Sequence, residues 1–350
     1  MVSVTIDGTK VEVPQGISVL EAARLAGIDI PNLCYDKELT NPGACRLCVV
    51  SIEGARNLPV SCVTQVNDGM VINTKTEEVI EARKTILNLI LASHPADCMT
   101  CEKSGDCKLQ DYAYEYGIRD IPYSGEVAEH ELDENNPFIV RDNSKCILCG
   151  KCVRVCDEVV GRDILGWAHR GFITSVVPTM EKNLDESDCV FCGSCISVCP
   201  VGALTEKDMV GKGRKWEMEK VRTVCPYCGT GCSIDLNVKD GNIVGVTSAE
   251  DGTVNGRALC VKGRFGYSFV QHEDRLKTPL IKENGSFREA SWEEAVKYVA
   301  DKLAKIKKEN GGDSFAALAS ARVTNEDNYV FAKFARAVMG TNNIDHCARL

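Results

Sequence analysis

Two runs of cysteine near the middle of the sequence have the residue type and spacing to hold metal. The first places Cys146, Cys149, Cys152 and Cys156, and the second Cys189, Cys192, Cys195 and Cys199 ahead of Pro200. Each is C-x2-C-x2-C-x3-C, a spacing that serves a pair of 4Fe–4S clusters. Three thiolates in one tight loop can take three corners of a cuboidal cluster. The fourth cysteine, about one helical turn further on, points away and serves the other cluster. The expected sets are therefore Cys146, Cys149, Cys152 and Cys199 for one cluster, and Cys189, Cys192, Cys195 and Cys156 for the second. Structural zinc, which wants two C-x2-4-C pairs around a tetrahedral ion, would leave a third cysteine in each run without a role. The chemistry this centre offers is electron transfer.

Three further groups flank it. Cys34, Cys45, Cys48 and Cys62 surround a C-x2-C pair in a long loop, which suits a 2Fe–2S cluster or a zinc ribbon. Cys98, Cys101 and Cys107 lack a fourth partner, and His94 precedes them. A lone histidine beside a helix end is commonly a cap or core residue, but here it completes a set of four. A neutral imidazole would leave a cluster less negative than four thiolates do and raise its potential. Cys225-Pro-Tyr-Cys228-Gly-Thr-Gly-Cys232, with Cys260 arriving later, suits another 4Fe–4S cluster. Nineteen of the twenty cysteines fall in these groups, leaving Cys347.

Elements able to position these groups are legible around them. Residues 2–6 and 10–13 alternate about Asp7-Gly8, a hairpin signal. Ser18 then caps a helix over 19–26, stopped by Gly27. Thr74 and Glu77 are expected to form a capping box for a helix over 78–91, whose Val79, Ile80, Ile86, Leu87, Ile90 and Leu91 share one apolar face. Residues 123–137 are acidic and turn-rich, a solvated connection. Residues 163–170 and 172–177 flank Gly171 as a hairpin covering the clusters, with Trp167 and His169 in packing roles. The charged run 206–222 marks a domain boundary, and Lys239-Asp-Gly-Asn242 turns a further hairpin. From Ser291 the texture becomes α/β. Ser291 and Glu294 box a helix carrying Trp292, Val296, Val299 and Ile306 at helical spacing, and residues 314–319 form a strand. Thr324 and Asp327 open a second helix that stops at Gly340, and an unpaired segment follows it. Ligand sites in doubly wound sheets lie at the carboxyl ends of strands, so residues 320–325, with Thr324 and Asn325, are the expected phosphate contacts of a cofactor, with ordinary helix capping the alternative role for Thr324.

The totals narrow the setting. The length is that of two or three ordinary domains. So many cysteines would form disulfides only in an oxidising compartment. The sequence opens without an export signal and contains no apolar run of membrane-spanning length, so a cytoplasmic location and no membrane span are expected. A net charge of −9 argues against a nucleic-acid surface.

These motifs carry a resemblance that covers the whole chain. The hairpin, helix and four cysteines at the start resemble the 2Fe–2S β-grasp domain of complex I-type large subunits. H-x3-C-x2-C-x5-C is similar to the 4Fe–4S module of the same family with one histidine and three cysteine ligands. The run from Cys225 and the later Cys260-Val-Lys262-Gly-Arg-Phe resemble the cluster domain of molybdopterin oxidoreductases, where the lysine matching Lys262 lies between cluster and pterin and helps electrons pass. The fold implied is multidomain α+β. It comprises a β-grasp 2Fe–2S ferredoxin (1–75), a histidine-plus-three-cysteine 4Fe–4S module (76–122), a two-cluster bacterial ferredoxin (138–206), a 4Fe–4S molybdopterin-oxidoreductase domain (221–278) and the beginning of a molybdopterin-binding α/β domain (279–350). The cofactors implied are one 2Fe–2S cluster, four 4Fe–4S clusters and a molybdopterin guanine dinucleotide carrying molybdenum or tungsten.

The serial order resembles the catalytic subunit of cytoplasmic, NAD(P)- or ferredoxin-linked formate dehydrogenases, which implies formate oxidation or its reverse. Residues 1–200 would equally suit an iron-only hydrogenase or the complex I electron-relay subunit, and a pure electron-transfer protein is a third reading. Residues 340–350 resemble the stretch leading into the formate dehydrogenase catalytic residue, so position 351 is expected to be a metal-binding selenocysteine or cysteine with Cys347 nearby. No G-x-G-x-x-G fingerprint is present. The resemblance therefore implies a partner subunit carrying flavin and NAD(P), or ferredoxin or hydrogenase subunits, against the N-terminal domain.

Overall fold

Alternation builds the first layer. In the computed structural model, which describes residues 1–123, 127, 130–249, 251 and 254–347, strands β1 (Val2–Ile6) and β2 (Thr9–Val13) pair antiparallel, with Ile6 opposite Thr9. Both turn residues, Asp7 and Gly8, have positive φ, as the tight hairpin requires. Val4, Ile6 and Val13 point inward and are buried. Helix α1 (Val19–Leu25) carries a complete capping box from Ser18 and Glu21 and lays Val19, Leu20, Ala22 and Ala23 on that face. Strands β3 (Ser51–Ile52) and β4 (Val71–Asn73) complete a sheet of order β2-β1-β4-β3, with β1 and β4 parallel. This is a β-grasp layer, and two loops hang from it: Cys34, Cys45 and Cys48 lie between α1 and β3, and Cys62 between β3 and β4.

Helix α2 spans Glu77–Ala92, and its cap differs from the expected one. Thr76 is the N-cap, accepting from the Val79 amide at 3.3 Å. Thr74 is taken instead by the β1–β2 turn, where Asp7 accepts its amide at 2.6 Å and its hydroxyl at 2.5 Å. A carboxylate held 67 residues away outcompetes the local cap. Leu87 on α2 and Leu109 on α3 (Lys108–Glu115) share a core with Leu33 and Leu47 of the first domain and Val201 of the next.

The central module is two short β-pairs around two short helices. Strand β5 (Ile139–Arg141) pairs with β8 (Leu204–Glu206), and β6 (Leu165–Ala168) with β7 (Ser175–Pro178) as the expected hairpin. Between them lie α4 (Lys151–Arg154), prolonged by a wider turn over Val155–Val159, and α5 (Ser194–Val198). The charged stretch 206–222 is a strap rather than a free linker. Arg214 donates to the Met99 carbonyl at 2.8 Å, Lys215 pairs with Asp106, and Trp216 packs on Gly105.

Strands β9 (Glu219–Val224), β10 (Ser233–Lys239) and β11 (Asn242–Ser248) form an antiparallel sheet, β10 and β11 turning at Asp240-Gly241. Helix α6 (Val261–Phe265) follows Cys260. Beyond it, β12 (Leu280–Glu283) and β13 (Ser286–Glu289) form a hairpin. Helix α7 (Trp292–Asn310) is capped by Ser291, which accepts from the Glu294 amide at 3.1 Å. Glu294 does not close the expected box, because Arg288 takes its carboxylate. The apolar residues of α7 lie open, with Trp292 73% and Val296 60% exposed. Strand β14 (Ala317–Ser320) precedes α8 (Asn325–Lys333), and the segment after Gly340 is not unpaired as expected. Strand β15 (Ile344–Cys347) lies parallel to β14, Ala317 opposite Ile344. Among the described residues β14 has no other strand partner, and the crossover through α8 brings β15 onto it in parallel. The end of the expected catalytic approach, residues 348–350, lies outside the described residues, as does part of the connection 123–137.

Candidate metal centres

The two central cysteine runs fold as copies of one another. Cys146 Sγ accepts the Leu148 amide at 3.4 Å, and Cys189 Sγ accepts the Phe191 amide at 3.4 Å. Leu148 and Phe191 both carry positive φ (53° and 48°), as do Gly150 and Gly193 (69° each). Left-handed non-glycine residues cost of order 1–3 kcal/mol and gather at ligand clamps. Here they curl each loop so that three thiols face one space while α4 or α5 carries the fourth cysteine onward.

The structure sorts the eight cysteines across the runs. One cavity is lined by Cys146, Cys149 and Cys152 together with Cys199. A second is lined by Cys189, Cys192 and Cys195 together with Cys156. The other walls are largely apolar, including Leu165, which borders both. Among the described residues no three His, Cys, Asp or Glu side chains gather tightly enough for a single metal ion; these sulfurs ring a volume. Burial pushes the Cys146 thiol up to about 11 and those of Cys149 and Cys195 up to about 12. A ligand must be a thiolate, so a cationic iron–sulfur core is the kind of group that fits this donor set.

In the N-terminal loop Cys34 meets Cys45, whose amide reaches its sulfur at 3.5 Å, and Cys48 meets Cys62. The sulfur–sulfur hydrogen bonds lower Cys45 to about 5 and Cys48 to about 7 while raising Cys34 and Cys62. Cys98 and Cys107 both feel the charge of Cys101. Cys101 Sγ lies 2.6 Å from where a Cβ on Gly202 would stand, against the end of the ferredoxin-like module. His94 is held by Leu91 through its backbone amide, and its Nδ1 is buried without a hydrogen-bond partner among the described residues. Burial lowers its pKa, keeping the imidazole neutral as a ligand must be. Cys225, Cys228, Cys232 and Cys260 lie within one another's electrostatic reach. Lys262 is exposed, and its charge helps lower the Cys228 thiol after the Thr230 hydrogen bonds. Thr324 is the cap of α8 in a full box with Asp327, so its hydroxyl is already engaged; Asn325 opens the helix, exposed. The loop before them reaches the cluster domain, the Ala321 carbonyl standing 4.0 Å from a Cβ built on Gly229.

Sequence reasoning missed a set of arginines that join the groups. Arg83 donates to the Val49 carbonyl beside Cys48 at 2.8 Å. Arg154 donates to the carbonyls of Cys34 at 2.7 Å and Cys149 at 3.2 Å, tying the first domain to the first ferredoxin-like run. Arg214 reaches the Cys101 carbonyl. Arg264 donates to the Cys192 carbonyl at 2.9 Å. Arg257 grips Asp36 through two 2.7 Å bonds. The forked guanidinium suits such carbonyl and carboxylate acceptors, but partners so distant in sequence leave no local pattern; only the placing of Arg154 inside C-x3-C and of Arg264 just after Cys260 hinted at them.

Comparison with known proteins agrees with this layout. Successive segments match the 2Fe-2S iron-sulfur cluster binding domain (1–77), the NADH-ubiquinone oxidoreductase-G iron-sulfur binding region (83–122) and the ferredoxin-like domain of NADH-quinone oxidoreductase subunit 3 (136–205). The molybdopterin oxidoreductase Fe4S4 domain (218–272) and the molybdopterin oxidoreductase domain (275–350) follow. A chain in the crystal structure of an NAD+-reducing [NiFe]-hydrogenase is 32% identical with a TM-score of 0.57, covering 61% of this chain and 91% of that one. The fold and its cysteine groups thus define a multidomain iron–sulfur oxidoreductase subunit. More particularly, the chain belongs to the family of that hydrogenase chain, with NADH-quinone oxidoreductase G-type cluster domains, and its later segments match molybdopterin oxidoreductase domains. Its relatives include the NADPH-Fe(3+) oxidoreductase subunit alpha of Geobacter sulfurreducens, 40% identical over 350 residues. A G-type subunit of NADH-quinone oxidoreductase from Rhizobium meliloti is 40% identical over 351. Both alignments cover all of this chain and 40% of the relative. The Bacillus subtilis protein YrhE, provisionally named a formate dehydrogenase, is 34% identical over 390 residues, covering 99% of this chain and 40% of that protein. The chain thus spans about two fifths of the length of the curated relatives it matches. No described helix is long and apolar enough to cross a membrane.

Proposed function

We propose that this chain carries the electron relay of a molybdopterin-dependent formate dehydrogenase. The observation that carries the relay is the sorting of cysteines across the two runs into two four-thiol cavities. Cys146, Cys149, Cys152 and Cys199 would hold one 4Fe–4S cluster, and Cys189, Cys192, Cys195 and Cys156 a second. Cys225, Cys228, Cys232 and Cys260 would hold a third, and His94, Cys98, Cys101 and Cys107 a fourth. Cys34, Cys45, Cys48 and Cys62 would hold the 2Fe–2S cluster. When bound, the clusters carry single electrons and the pterin-held molybdenum or tungsten exchanges electron pairs with formate. The chain's own part is to bind and, at the central pair, to shield: apolar walls and the arginine-capped carbonyls of Cys149 and Cys192 keep water from those two sites, while Cys98, Cys228 and Cys260 lie exposed. Asn325 and the amides opening α8 are the proposed pterin-phosphate contacts, and Lys262 the cation between cluster and pterin.

Formate is favoured by the resemblance of residues 340–350 to the approach to the catalytic residue, and YrhE accords with it. The relative in Rhizobium meliloti supports a second reading, a relay that passes electrons from NADH without pterin chemistry. Under either reading the partner is a flavin- and NAD(P)-binding, ferredoxin or hydrogenase subunit docked on the N-terminal domain. The two separate in the assembly purified from its own cells. Formate should reduce a viologen dye at an appreciable rate; NADH-driven cluster reduction with no formate activity would leave the NADH-relay reading standing.

His94→Ala gives a narrower check. It should remove or convert one cluster and leave the other signals in the EPR spectrum intact. An unchanged spectrum with full iron would return His94 to a purely structural role.

A further inference from the structure

The two ferredoxin-like loops are twins in backbone but not in what covers them. Gly150 of the first loop is covered by Trp167, whose Cζ2 would stand 2.9 Å from a Cβ there. Gly193 of the second is covered by Arg264, and a Cβ on Gly193 would overlap the arginine's Cδ. The arginine comes from another domain, four residues after Cys260 on α6. It is 2% exposed. Its Nε donates to the Cys192 carbonyl at 2.9 Å, and its Nη2 has no hydrogen-bond partner among the described residues. Phe265 beside it stacks on Phe138 at 4.8 Å, sealing the position from water. The first loop has cations too, but they are engaged otherwise: the Lys151 ammonium faces the Asp36 carboxylate at 3.7 Å, Arg141 on the cavity wall pairs with Asp133 at 2.9 Å, and the half-buried Arg154 divides its guanidinium among the carbonyls of Cys149, Gly150 and Cys34. Glu206, the nearest carboxylate in charge terms to Arg264, is hydrogen-bonded by Tyr267 at 3.3 Å instead.

We propose that Arg264 is a positioning residue for electron flow: it raises the reduction potential of the cluster held by Cys156, Cys189, Cys192 and Cys195 relative to its twin. The inference rests on the cluster assignment above. A reduced cluster carries one more negative charge than an oxidised one, and cluster potentials follow net charge, hydrogen bonding and solvent exposure. A poorly neutralised guanidinium in a water-excluded site acts through a low effective dielectric, so it favours the reduced form. Trp167 supplies no charge to the other loop. One electron released from the Cys225 group, which is thereby oxidised, would then be accepted more readily at the cluster beside Arg264 than at its twin.

The test is an EPR-monitored redox titration of the metal-loaded protein in its native assembly. Cys192→Ala identifies the signal of the Arg264 cluster by its loss, and Cys149→Ala that of the twin. Arg264→Gln should make the cluster beside Arg264 at least tenfold harder to reduce, about 59 mV for one electron, and move the twin by much less. Arg264→Lys, which keeps the charge, should restore most of the shift. An unmoved potential in Arg264→Gln at full iron content, or equal shifts of both clusters, overturns the proposal. So does loss of iron from both Arg264 variants, which would make the residue a structural support. If Cys192→Ala removes no signal, the cluster assignment fails first, and that failure is distinguishable from the others.

Discussion

Cys156→Ala should cost the protein the cluster of the opposite run. The cysteine ends the first run in sequence, yet it lines the cavity of Cys189, Cys192 and Cys195, while Cys199 lines that of Cys146, Cys149 and Cys152. Full loading is expected near eighteen irons, about two for the 2Fe–2S site and four for each of four cuboidal sites. Each single variant, Cys156→Ala or Cys199→Ala, should lose about four of them. Double variants decide the wiring, because only residues sharing one site fail to add. Cys156→Ala with Cys192→Ala should lose no more iron than either alone. Cys156→Ala with Cys149→Ala should lose about eight, since it strikes both clusters. The reverse pattern, additive within the cavity and non-additive within the run, would mean that each run keeps its own fourth ligand. Stability should fall with the iron, because ligand loops this short bury little apolar surface and metal binding is part of their folding energy.

How far the sequence could be read depends on how local each determinant is. The hairpin at Asp7-Gly8 and the caps at Ser18 and Ser291 were legible because turn chemistry and capping act within about three or four residues. The cap of α2 was misread at Thr74 because Asp7, on the far strand, claimed that side chain. Strand β15 was missed since four residues without alternation become a strand only when β14 offers an edge. Cysteine spacing suggested the groups, and the expected distribution of the ferredoxin-like cysteines matches the lining of the two central cavities. What no spacing could give was the order in space of those groups. That order is set by Arg83, Arg154, Arg214, Arg257 and Arg264, whose acceptors lie in other segments. The charged run around Arg214 reads in sequence only as a domain boundary for the same reason: the partners of Arg214 and Lys215, Met99 and Asp106, lie more than a hundred residues upstream.

Arg257→Ala should loosen the loop of Cys34 by about 3 kcal/mol, the lower end of what removing one partner of a buried ion pair costs. Arg257 grips both oxygens of Asp36 and also pairs with Glu38 at 2.7 Å, tying the domain of Cys225 to the first domain. Asp36 is nearly buried, 9% exposed at its side chain. Burial alone would raise its carboxyl, but the Arg257 bonds, the Glu38 amide and Lys151 together outweigh burial and hold it below the ordinary carboxylate value. Without the guanidinium, Lys151 at 3.7 Å remains as a weaker partner, which is why the lower figure applies. Arg257→Lys should recover only part of the loss, since an ammonium cannot bond both oxygens in the fork geometry. The pH dependence has a definite sign. A carboxyl depressed in the folded state contributes stability above its unfolded value, 3.8, and loses it as pH falls through the folded value. In Arg257→Ala burial becomes the larger influence and lifts the folded value above the unfolded one, so the contribution reverses sign: the ionised carboxyl then costs stability, and that cost is relieved as pH falls through the raised value. Hydrogen exchange of the metal-loaded protein reads this directly. Amides of residues 33–40 should exchange roughly a hundredfold faster in Arg257→Ala, the equivalent of about 3 kcal/mol, while those of β10 and β11 stay protected. Unchanged protection over residues 33–40 would show that the pair does not hold these domains together, and the α2–α3 core around Leu33 and Leu47 would then be what fixes the Cys34 loop.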